Sequence, residues 1–149
     1  MRGVVMPMAW SVADTAVLLY GGFNALGPLA DLWKWDGEVW TRLDSAGPAP
    51  TEGPALVSSE RGPLLVGLRR GAAADASVGV WSWRAGRWIE ENISGGPRSR
   101  VGPGIAYDPV RRLLMFFGGY FESTNRSSVE TWEFDGATWR VVVADAARR

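Results

Sequence analysis

Asp31-Leu-Trp-Lys-Trp-Asp-Gly-Glu-Val-Trp40 and Glu130-Thr-Trp-Glu-Phe-Asp-Gly-Ala-Thr-Trp139 are two copies of one pattern. Each places two aromatics on either side of a polar residue, then Asp-Gly, then a closing Trp. The aromatic–polar–aromatic step has the period of two expected of a strand with one buried face. Asp-Gly supplies a hairpin turn into the strand that carries the last Trp. Trp81, Trp83 and Trp88 keep the same spacing in the middle of the chain, where Ala85-Gly86 takes the turn.

Working outward, an apolar strand ending in glycine precedes each copy: Val17 to Gly22, Leu64 to Gly67, and Leu113 to Gly119. A second short strand lies further upstream, at Met8 to Trp10, Ala55 to Val57, and Ile105 to Tyr107. Each unit therefore reads as four antiparallel strands. The units span 1–46, 47–95 and 96–144, and 145–149 form a C-terminal tail. Only Ala144 to Arg149 has any helical character, so the expected fold class is all-β. The paired glycines Gly21-Gly22 and Gly118-Gly119 suit a bend at a strand end, because glycine accepts backbone torsions that other residues resist.

The order apolar strand, Gly-Gly, variable loop, Trp-x-aromatic, Asp-Gly, Trp resembles the kelch repeat of β-propellers, particularly the kelch-like repeats of bacterial proteins. The residues that carry it are Gly21, Gly22, Trp33, Trp40, Trp81, Trp88, Gly118, Gly119, Trp132 and Trp139. The middle unit departs from it, with Gly67-Leu68 in place of the double glycine. The family's Arg-x-Gly-His stretch appears as Arg100-Val-Gly-Pro103, with Pro in place of His. The resemblance implies that each unit is one four-stranded propeller blade. Three blades are too few to close a ring, since about 4–8 is the usual range. The expected arrangement is half of a six-bladed propeller, completed by a homodimer with two-fold symmetry. The alternative is that these residues belong to a longer propeller. In either case an isolated trio of blades leaves an apolar face open at each end.

Composition limits the chemistry. The chain of 149 residues has no His and no Cys, and its 16 basic residues balance 16 acidic ones. Lack of Cys removes disulfides, thiolate metal sites and thiol nucleophiles. Lack of His removes the commonest general base and every Ser-His-Asp arrangement. The metal-dependent enzymes among kelch-like propellers rely on His, so that analogy fails here. No catalytic residue, metal or cofactor is expected. A hydrolase or lyase built from Asp, Glu, Tyr and Arg alone is the remaining catalytic alternative. Asp36 and Asp135 precede glycine in equivalent turns and read as turn formers. Zero net charge gives no general attraction to nucleic acid. No apolar run approaches the ~18 residues of a membrane span.

What remains is a noncatalytic binding or scaffold module for protein or glycan, with loops on a rigid frame as the recognition surface. The loops between the second and third strands run from Phe23 to Ala30, Arg69 to Ser77 and Tyr120 to Ser128. The candidate ligand-binding residues are Tyr120, Phe121, Asn125 and Arg126, with Arg69 and Arg70, because aromatic and Arg side chains dominate binding hot spots. The competing reading has Tyr120 and Phe121 covering a blade edge and the Arg residues solvated. On that reading the chain is purely structural and its main partner is itself. Residues 2–13 faintly resemble a signal peptide, but Pro7 interrupts the short apolar part and a strand is the favoured reading. As it stands the chain reads as cytoplasmic, and secretion would require an upstream signal; the sequence names no compartment.

Overall fold

The computed structural model describes residues 6–48, 53–68, 72–73, 76–91 and 95–144. Among them every regular element is a strand. The first sheet is β1 (Met8–Ser11), β2 (Ala16–Asn24), β3 (Gly27–Trp35) and β4 (Trp40–Asp44). The second is β5 (Ala55–Val57), β6 (Leu64–Gly67), β7 (Gly79–Arg84) and β8 (Arg87–Glu90). The third joins β9 (Gly104–Asp108) and β10 (Leu113–Phe117) to β13 (Thr131–Phe134) and β14 (Trp139–Val143). A two-stranded ribbon, β11 (Tyr120–Phe121) and β12 (Arg126–Ser127), extends from the connection between β10 and β13. The three four-stranded sheets are antiparallel meanders in chain order, as the repeat predicts. The short tail 145–149 lies outside the described residues.

Turn chemistry explains the hairpins. Asp36 Oδ1 accepts from the amides of Glu38 and Val39, both at 2.9 Å. Asp135 Oδ1 does the same for Ala137 at 2.9 Å and Thr138 at 2.8 Å. Asp108 repeats the device between β9 and β10, receiving Val110 at 2.9 Å and Arg111 at 3.0 Å. These amides favour the charged carboxylate and hold all three pKa values below the ordinary range, with the Val39, Arg111 and Thr138 amides as the leading causes. Glu133 is lowered as well, chiefly by Arg140 at 2.5 Å and then by Arg111 at 2.8 Å.

A pH dependence follows. Because the folded pKa values lie below those of the unfolded chain, this stabilisation is present above pH ~4 and is lost as pH falls through the folded values. The urea midpoint should therefore hold steady down to about pH 4.5 and then decline. Exchanging Asp36, Asp108 and Asp135 for Asn should make that decline shallower. An equally steep decline in the triple variant would assign the acid sensitivity to other groups.

The loop expected from Phe23 to Ala30 is instead continuous strand. β2 and β3 pair out to Asn24 and Gly27, leaving Ala25-Leu26 as the turn. The reason lies at Gly21, where φ is +67° and the register shifts between Tyr20 and Gly22. The glycine makes a bulge that bends the ladder without ending it. A Cβ there would stand 2.9 Å from the Leu29 carbonyl oxygen, so a larger residue strains both torsion and contact. In the third unit the Tyr120–Ser128 loop is also partly ordered, as the β11–β12 ribbon.

The sheets stack face to face with one polarity. The Trp-bearing face of the second sheet, Leu65, Trp81 and Trp83 with Trp88 at its margin, covers Ala9, Leu18, Tyr20 and Leu32 of the first. The aromatic face of the third, Leu114, Phe116 and Phe134 with Trp132 and Trp139, covers Leu64, Val66 and Val80 of the second. The first strands lie in sequence, β1 touching β5 and β5 touching β9. Tyr20 fixes the first junction: its ring meets Trp88 edge-on at 5.5 Å, and its hydroxyl donates to the Pro48 carbonyl. Arg112 pairs with Glu60 at 3.2 Å across the second junction.

Candidate functional site

The β11–β12 ribbon brings four of the predicted residues together. Tyr120 pairs with Ser127 and Phe121 with Arg126. The turn between them places Asn125 in the left-handed region at φ +56°, a conformation Asn tolerates better than most residues. From there the Asn125 side-chain oxygen accepts the Tyr120 hydroxyl. Asn125 and Arg126 are exposed, whereas Tyr120 and Phe121 are half-buried. Tyr120 and Asn125 thus meet through their side chains, whereas Arg126, directly across from Phe121, lies on the other face of the ribbon. Arg69 and Arg70 lie outside the described residues.

Beneath the ribbon is a residue that the loop-based reading missed. The Arg100 side chain is completely buried and pairs with Glu130 at 2.7 Å. Its Nε donates to the Arg98 carbonyl at 3.1 Å. Its guanidinium lies 4.6 Å from the Phe121 ring centroid and 5.3 Å from that of Phe116, a stacked cation–aromatic arrangement. Glu130 also accepts Trp132 Nε1 at 3.1 Å. Val101 and Tyr120 exchange both backbone hydrogen bonds at 2.9 Å. Gly119 leaves the room for this, since a Cβ there would stand 2.6 Å from Arg100 Cγ. Phe121 is therefore committed to holding the ribbon, and Tyr120, Asn125 and Arg126 remain the candidate binding residues. The available signal was Arg100 itself, at the Arg position of the Arg-x-Gly stretch.

A small cavity between the second and third sheets has a volume of about 40 Å³ and is lined by Leu64, Leu114 and Phe134 together with Ser59, Tyr107 and Arg112, among others. That volume suits ordered water rather than a substrate. Burial raises the Tyr107 hydroxyl pKa, with Glu60 adding to the effect. Among the described residues no group of three or more acidic side chains is placed to hold a metal ion. No described helix is long and apolar enough to cross a membrane.

No protein-family model matches the chain, and no curated protein matches it.

Proposed function

We propose that the chain is a noncatalytic, kelch-type β-propeller module that binds protein or glycan through the β11–β12 ribbon and completes its ring with a second copy of itself. The observation that carries the reading is the uniform stacking polarity of the three meanders, Trp face on opposite face, with first strands side by side. A repeated step of that kind is how blades surround an axis. The ribbon carries the hairpin of its unit past Gly118-Gly119, as the ends of β2 and β3 do past Gly21-Gly22. It is braced from below by Arg100 and presents side chains with large contact area and directed hydrogen-bonding groups.

The test is a screen of immobilised glycans and folded proteins, followed by titration of any hit. Tyr120→Ala and Arg126→Ala should each weaken binding about tenfold or more while leaving the particle mass unchanged. Wild-type affinity in both variants would remove the ribbon as the recognition surface. A screen without ligands would favour the purely structural reading, in which self-association is the chain's main interaction. The unpartnered Trp face of the first sheet favours that second reading.

A further inference from the structure

Each aromatic triplet lies on the face of its sheet that bears the first Trp, and in the second and third sheets that face turns toward the preceding unit. Trp81 and Trp83 are each 6% exposed because the first sheet covers them. In the first sheet the corresponding face is bare: Met8 is 52%, Trp10 47% and Trp40 43% exposed. Val17, Leu19, Trp33 and Trp35 complete that face by register. At the other end of the stack, the outer face of the third sheet is open at Phe117, while Arg111 and Arg140 lie over Glu133 and Arg111 also reaches Met115. It places Ala106, Met115 and Phe117 at the repeat positions of Ala9, Leu18 and Tyr20. Those three residues of the first sheet are buried under the second, whereas Phe117 is 54% exposed.

We infer that these two faces are complementary halves of one interface, and that the Trp face of one chain packs on the outer third-sheet face of a second copy. The inference rests on the propeller reading above. The occupant follows from continuity with the two junctions already present, which both join a Trp face to an opposite face. Trp40 stands where Trp88 does, and Phe117 where Tyr20 does, so the Tyr20–Trp88 edge contact has a ready counterpart.

Charge argues against the alternative of Trp face on Trp face. The residue inside each aromatic step, on the face opposite the Trp side chains, is Lys34, Ser82 or Glu133. The strand partner of the first Trp, on the Trp face, is Arg42, Glu90 or Val141. The existing junctions therefore combine a Lys34 face with a Glu90 face, and a Ser82 face with a Val141 face. The open pair combines Glu133 with Arg42. Glu133 is buried and already held by Arg111 and Arg140, so it adds no unpaired charge to the interface. Packing Trp face on Trp face would instead oppose two Arg42 side chains. Two copies joined in this head-to-tail sense twice over make six sheets and leave no face open.

Sedimentation of the chain with two single variants tests this. The wild type should run as two chains with no growth beyond that mass at higher concentration. Trp40→Arg and Phe117→Arg, both at exposed positions, should each run as a single chain. Mixing them should restore a two-chain species, because each pair then retains one intact Trp-face to third-sheet junction. A single-chain wild type would overturn both the inferred interface and self-completion of the ring. A two-chain wild type that Phe117→Arg leaves intact, or single variants that fail to complement on mixing, would overturn this interface while leaving the propeller reading standing. Continued growth into larger species would overturn ring closure by two copies.

Discussion

Trp83→Ala is expected to lower the unfolding free energy by about 3–5 kcal/mol, the range for truncating a large core aromatic. The indole is buried with Leu18, Tyr20 and Leu32 of the first sheet and Leu56 and Leu65 of the second. It also meets Trp88 at 5.3 Å, and Trp88 meets Tyr20 at 5.5 Å. Removing it opens a cavity at the junction of two sheets rather than inside one, so neither sheet can fill the space without sliding on the other. Urea unfolding followed by circular dichroism measures the loss. A decrease below about 1 kcal/mol, the scale of a typical surface-weighted substitution, would show that the first two sheets do not share a common core.

The second large effect is expected from Arg100→Ala, at about 2 kcal/mol or more, because it empties a fully buried side-chain site and leaves the quarter-exposed Glu130 without its cation. The variant strips Glu130 of its cation and removes the plane on which Phe116 and Phe121 stack. The ribbon should loosen in consequence, and amide exchange at Val101 and Tyr120, whose backbones bond each other, should accelerate. Glu130→Gln should also destabilise, since it leaves a buried guanidinium without a counter-charge. The double variant Arg100→Met with Glu130→Gln should recover part of the loss, because no uncompensated charge remains. Unchanged exchange at Tyr120 in Arg100→Ala would show that the ribbon is held by its backbone bonds alone.

Much of the architecture was legible in spacing. Trp33 and Trp35, Trp81 and Trp83, and Trp132 with Phe134 each announce a strand with one apolar face, and Asp36 and Asp135 form the turns their position before glycine suggested. Gly21-Gly22 was harder to read, because a glycine with positive φ serves equally to end a strand or to bulge it. The choice fell to the pairing of Phe23 with Pro28 beyond the bulge. The candidate site was legible only in part. Tyr120 and Asn125 do meet, but Arg126 lies on the face of Phe121, and the role of Phe121 depends on Arg100, whose own partner Glu130 is distant in sequence.

The sequence by itself determined that this protein is a threefold repeat of four-stranded antiparallel sheets, because strand period, turn residues and repeat spacing are local properties that each segment carries alone. Only the tertiary structure decided which aromatic faces are covered. The three triplets are nearly alike in sequence, yet Trp81 and Trp83 are buried while Trp33 and Trp35 are half-buried and Trp40 is exposed. The difference is not in the residues. It comes from what lies beside each sheet, since burial is a relation between two surfaces and the first sheet has no unit before it among the described residues.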